Sequence, residues 1–130
     1  MNEVIWHWTF YGFVTAAGNC PVQEWFDRLT PETRDELRDI FAYLQKTPNS
    51  QWGKPEFAPL GEGIFEIRYQ DKSHWYRIYS CYWPEGVKQA FTLLHGTTKK
   101  VRNDADGKKL AEKRRAQLRR NEATIFQFNF

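Results

Sequence analysis

The chain has 130 residues, of which 41% are hydrophobic, 27% charged and 17% aromatic. That composition supports one folded domain and excludes both a disordered chain and two independent cores. Two cysteines, Cys20 and Cys81, exclude a disulfide framework or a Cys-rich zinc site. The net charge of +3 hides an asymmetry: residues 1–98 hold 9 basic and 12 acidic side chains, whereas residues 99–120 hold 10 and 3.

The first segment, Glu3 to Tyr11, alternates with Val4, Trp6, Trp8 and Phe10 on one side, which predicts an aromatic strand broken at Gly12. Pro21 opens a short helix whose apolar face is Val22, Trp25, Phe26 and Leu29. Thr30 and Pro31 form a cap and first-turn pair for a second helix with the stripe Leu37, Ile40, Phe41 and Leu44, and Pro48 ends it. Trp25 and Phe41 read as core, and the two helices read as a hairpin covering a sheet. Asn49 to Gly63, which contains Pro55, Pro59, Gly61 and Gly63, reads as a loop. Three strand-like runs follow: Ile64–Tyr69, Trp75–Trp83 and Val87–His95. Their short connections predict antiparallel hairpins.

Asp104 is a candidate cap for a third, basic helix reaching about Arg120, with Leu110, Ala111 and Leu118 as a narrow apolar stripe. The tail Thr124–Phe130 alternates again, with Phe126, Phe128 and Phe130 on one side. A free aromatic strand is an aggregation hazard, so the tail is expected to pair with a sheet edge or another chain. The expectation is one α+β domain over 1–130: a small, mostly antiparallel sheet, an N-terminal helical hairpin, a basic C-terminal helix and an aromatic tail at about 121–130. The apolar runs are too short to span a bilayer, and no secretory signal is visible at the N-terminus. A cytoplasmic location without membrane attachment is expected.

No phosphate-binding glycine loop, HExxH or Cys-x-x-Cys pair is present, and His7, His74 and His95 have no close-spaced partner. No metal and no small-molecule cofactor is expected. Arg68 and Arg77 fall inside adjacent strands, and in a hairpin they can share a face. His95, Lys99 and Lys100 follow the next strand and can close over that face, with Tyr79 nearby. Such a cluster suits a phosphodiester, because guanidinium and ammonium groups stabilise charge on non-bridging oxygens. In the alternative reading the arginines pair with Glu66, Asp71 or other carboxylates, and His95 bonds to backbone.

The run Pro21-Val22-Gln23-Glu24-Trp25, the strand Leu60 to Arg68, Tyr76-Arg77-Ile78, Leu93 to Lys100 and Leu110 to Arg114 occur in that order. In these segments the chain resembles the phage-derived, HigB-like branch of the RelE/ParE toxin superfamily. The resemblance implies the toxin of a type II toxin–antitoxin system, a ribosome-dependent endoribonuclease that cuts mRNA and inhibits translation. A cognate helix–turn–helix, DNA-binding antitoxin would hold it in check, and the ribosome and mRNA would be its other partners. By the same resemblance Arg68, Arg77, His95 and Lys99 are the catalytic candidates. Lys100, Arg102, Tyr69 and Tyr79 are the RNA-binding candidates. RNA supplies its own nucleophile, so His95 reads as the titrating group at neutral pH and the arginines as phosphate stabilisers. Two further classes stay open: a non-catalytic RNA- or protein-binding module, and a gyrase-directed toxin of the same fold.

Overall fold

The computed structural model describes residues 7–101 and 104–130. Val4 and Trp6 of the expected first strand, and Arg102, lie outside them. The elements run β1 (Thr9–Val14), α1 (Pro21–Asp27), α2 (Pro31–Gln45), a single 3-10 turn (Asn49–Gln51), β2 (Phe57–Gly61), β3 (Ile64–Gln70), β4 (Trp75–Cys81), β5 (Ala90–Lys99), α3 (Ala105–Arg119) and β6 (Thr124–Gln127). The six strands form one sheet in the order β2-β3-β4-β5-β1-β6. All neighbours are antiparallel except β1 and β5, which are parallel. The fold is α+β, and among the described residues no helix is long and apolar enough to cross a membrane.

The local signals act as the residue types dictate. Thr30 caps α2 by accepting from the Thr33 N–H at 3.3 Å, and Asp104 caps α3 by accepting from the Gly107 N–H at 3.2 Å. Helices α1 and α2 close one face of the sheet. Val22, Phe26, Leu37, Phe41 and Leu44 pack there against Phe10, Ile67, Ile78, Phe91 and Leu93. Trp52 joins this core and donates its indole N–H to the carbonyls of Leu44 and Thr47 at 3.1 and 2.9 Å, so the large ring is buried without a polar cost. Helix α3 covers the other face with a smaller core of Phe13, Ile64, Cys81, Leu94, Ala111 and Leu118.

Several expectations are corrected. Gly12 does not break β1. The strand runs through it to Val14, and glycine suits the position because the entry to α1 comes so close that a Cβ would lie 2.7 Å from Cys20 Sγ. The expected loop at 49–63 contains β2. Its Pro59 is tolerated because β2 is an edge strand, with one side of its backbone free of ladder bonds. A turn with left-handed Gly61, Glu62 and Gly63 (φ 86°, 57° and 75°) reverses the chain into β3. β5 starts at Ala90 rather than Val87, which is exposed in the preceding turn, and extends beyond His95 to Lys99. Trp25 is only half-buried: its ring lies on Gly96 and its N–H donates to Thr98 Oγ1 at 3.0 Å. In the tail, β6 pairs antiparallel with β1, but it ends at Gln127 and the alternation ends with it. Phe128 turns into the core while Phe126 remains 65% exposed.

Candidate active site

β3, β4 and β5 carry the site, and their register fixes which side chains meet. Arg68 pairs with Arg77, and Arg77 with Thr97. Two residues along in one direction Glu66, Tyr79 and His95 are aligned. Two along in the other, Gln70, Trp75 and Lys99 are aligned. Directly paired residues point to the same face, so these three rows form a polar patch on the α3 side of the sheet.

His95 reaches this patch only through an irregularity. The register slips between Tyr79 and Ser80, where Tyr79 opposes His95 but Ser80 opposes Leu93. Without that bulge, simple alternation would send His95 to the same face as Phe91 and Leu93, toward α1 and α2.

Two guanidinium groups directly opposite one another repel, and the buried carboxylate of Glu66 offsets this. Its Oε1 lies 3.4 Å from Arg77 Nε and 4.0 Å from Arg68 Nη1. Burial raises the Glu66 pKa, against the pull of both arginines. The Arg77 side chain is only 4% exposed. Its Nη1 donates to the Val101 carbonyl at 3.4 Å, and its guanidinium lies 5.1 Å from the centre of the Trp75 ring. Arg68 is 22% exposed and is anchored through Nε, which donates to the Pro55 carbonyl at 2.7 Å. Its Nη1 makes only the long contact to Glu66, and no hydrogen bond engages Nη2 among the described residues.

Asp104 ties α3 to the sheet. Its carboxylate accepts from Tyr79 and Thr97 hydroxyls, each at 3.0 Å, as well as from Gly107 N–H. Burial opposes ionisation, but these donors and Lys99 hold its pKa below the usual carboxylate value. The buried Tyr79 hydroxyl is correspondingly pushed up, by burial first and by Asp104 second. His95 stacks on Tyr79 with ring centres 6.2 Å apart. Arg114 Nη1 donates to the Leu94 carbonyl at 2.8 Å and lies 3.4 Å from His95 Nδ1. Burial, with Arg114 and Lys99, pushes the His95 pKa down to about 4. At neutral pH the imidazole is therefore neutral and does not titrate there.

The sequence-derived candidates separate into groups. Arg68, Arg77, His95 and Lys99 share the face. Lys99 and Lys100 are exposed at the end of β5. Tyr79 is on that face but buried, with its hydroxyl engaged. Tyr69 lies on the opposite face, stacked on Tyr76 with ring centres 5.9 Å apart. Glu66, Asp104 and Lys108 complete the site, and with Arg77 and Tyr79 they line a cleft of about 380 Å³ between the sheet and the start of α3. The alternation of Ile64, Glu66 and Arg68 was a usable signal for Glu66, because it places a carboxylate beside the arginine on one face.

The family model described as phage derived protein Gp49-like (DUF891) matches residues 24–120. The chain belongs to this Gp49-like family. The family is phage-derived and toxin-like and falls within the RelE/ParE-like toxin superfamily, in which an antitoxin partner is the rule. The Gp49-like match contains β2 to β5, α2 and α3, and thus every residue of the site. It leaves β1 and the aromatic tail outside. No curated protein and no solved structure matches the chain.

Proposed function

We propose that this Gp49-like protein is a HigB-like toxin of a type II toxin–antitoxin pair, acting in the cytoplasm as a metal-independent, ribosome-dependent mRNA endoribonuclease. The carrying observation is the Arg68–Arg77 pair set across the β3–β4 register around Glu66. The exposed lysines Lys99 and Lys100 at its rim would hold the RNA backbone. Arg102, outside the described residues, is a further RNA-binding candidate. The RNA 2′-oxygen attacks the adjacent phosphorus, the bond to the 5′-oxygen breaks, and a 2′,3′-cyclic phosphate and a 5′-hydroxyl result. Glu66 accepts the 2′-hydroxyl proton, and the Lys99 ammonium supplies one to the departing oxygen. Arg68 and Arg77 stabilise charge on the non-bridging oxygens. Glu66 fits the acceptor role better than His95, because burial raises the basicity of the Glu66 carboxylate, whereas burial and Arg114 lower that of the imidazole. A cognate helix–turn–helix antitoxin would restrain the activity.

One observation favours a second reading, a toxin or binding module acting by contact, gyrase-directed members included: Arg77 is buried and ion-paired. Inducible expression with primer-extension mapping of transcripts separates the two. Cuts inside translated mRNA are expected in a reconstituted translation system, with no divalent metal needed beyond the magnesium that keeps the ribosomes intact. In Arg68→Ala they should fall about a hundredfold, the usual loss for a transition-state charge stabiliser. Growth arrest with intact mRNA would favour the contact reading.

A further inference from the structure

We infer that Trp75 is a stacking platform for a nucleobase of single-stranded RNA, one nucleotide away from the phosphate at Arg68 and Arg77. The inference rests on the ribonuclease reading and names how that site holds its substrate.

The sheet register places the platform. Gln70, Trp75 and Lys99 form one row across β3, β4 and β5, and Arg68, Arg77 and Thr97 form the next row on the same face. Two residues along a strand span about 7 Å, the scale of one nucleotide step. An aromatic ring, an amide and an ammonium group therefore stand one step from a guanidinium pair. That order matches a nucleotide, in which an apolar base with a polar edge is joined to an anion. The ring is also held in place, since the Arg77 guanidinium lies 5.1 Å from its centre.

Trp75 is half-buried, and it borders a cleft of about 350 Å³ shared with Arg68, Tyr69, Gln70, Pro55 and Glu56. Gln70 is exposed there and offers both a donor and an acceptor to a base edge. Neither tyrosine singled out from the sequence can serve as well. Tyr79 is buried and bonded to Asp104, and Tyr69, though it reaches the same cleft, is already stacked on Tyr76. A duplex keeps its bases stacked inside, so an isolated ring beside a phosphate site suits an unpaired strand.

The same indole also shields Arg77, and the test must separate that structural role from stacking. The probes are 2′-O-methyl hexanucleotides of adenosine and of uridine, which cannot be cut because the nucleophile is blocked. Full-length wild-type protein should bind both, the adenosine oligomer more tightly, with quenching of tryptophan emission. Trp75→Leu should bind about tenfold or more weakly, while Trp75→Phe stays within a few-fold because it keeps a stacking ring. The quenching should be lost in Trp75→Phe even where binding persists, which keeps the test decisive should Trp75→Leu fail to fold. In cleavage of unmodified mRNA, Trp75→Leu should raise KM with kcat little changed. Equal oligomer binding by Trp75→Leu and wild type, no oligomer binding by wild type, or undiminished quenching in Trp75→Phe would each overturn the platform. Trp75-dependent binding by a wild-type protein that cuts no RNA would keep the platform and remove the ribonuclease reading.

Discussion

On the face that α1 and α2 cover, Phe10, Phe26, Phe41, Phe91 and Phe128 meet edge to face or tilted, with ring centres 5.4 to 6.2 Å apart. On the face that α3 covers, the contacts nearest the cleft are polar: Asp104 to Tyr79 and Thr97, Arg114 to the Leu94 carbonyl, and Arg77 to Glu66. The two faces belong to the same strands. The first is stabilised by area and shape, which depend little on pH and tolerate small shifts. The second holds buried charge, which is stable only while each partner is in place. A sheet built this way can expose or rearrange charged groups on one side without loosening the core on the other.

The largest effect should come from the aromatic face. Phe41 is fully buried and touches four other phenylalanine rings. Phe41→Ala is expected to cost about 4 kcal/mol, read from the urea midpoint at constant m. If the loss were nearer 1 kcal/mol, the aromatic cluster would not be the main source of stability.

Next is the charged pair. Arg77→Ala leaves a buried Glu66 carboxylate without its nearest partner, and about 3 kcal/mol should be lost at neutral pH. Because burial already raises the Glu66 pKa, the penalty should shrink as pH falls and the carboxyl becomes neutral. Replacing both with apolar residues, Arg77→Met with Glu66→Leu, should recover most of the stability. The measurement is a set of urea melts at pH 7 and pH 4.5. A penalty that did not change with pH would mean that Glu66 is not the group left stranded. Arg77 is therefore a poor choice for separating catalysis from folding; Arg68 is the better one.

A smaller effect is expected at the α3 cap. Asp104→Ala removes the acceptor for Tyr79, Thr97 and the Gly107 N–H, and should cost about 1.5 kcal/mol. Asp104 has a depressed pKa, so its contribution is present above the ordinary carboxylate value and disappears as pH falls through the folded one. Amide exchange should quicken in α3 while α2 stays protected. Equal loosening of both helices would contradict the division between the faces.

At neutral pH the smallest effect concerns His95. Its folded pKa is about 4 against an ordinary 6.5, so the unfolded chain binds more protons between those values. Stability should fall as pH drops through that window and should be insensitive to His95 above it. His95→Gln should flatten this part of the profile, checked by urea midpoints at pH 7, 5.5 and 4.5. An unchanged slope in the variant would show that another group dominates.

Local chemistry was enough to read the helices and, at least in part, every strand but β2. Thr30-Pro31 and Asp104 cap helices because their side-chain oxygens satisfy backbone donors within one turn. The apolar spacing of α2 and the alternation of β3 and β4 carry the period of their own secondary structure. β2 was hidden by prolines and glycines, whose local preference for turns was outweighed by pairing with β3. At the candidate site, the shared face of Arg68 and Arg77 was legible because a short connection fixes a hairpin and a hairpin fixes pairing. The α+β class, the capped helices and the meeting of the two arginines therefore follow from local residue chemistry. The remainder depends on contacts between segments distant along the chain. The parallel seating of β1 beside β5 joins residues about eighty positions apart. A one-residue bulge turns His95 toward α3, and side-chain periodicity cannot reveal a bulge because it breaks that periodicity. Arg77 became a buried partner of Glu66 because α3 folds over the face, and burial by a distant segment leaves no mark in the residues it covers.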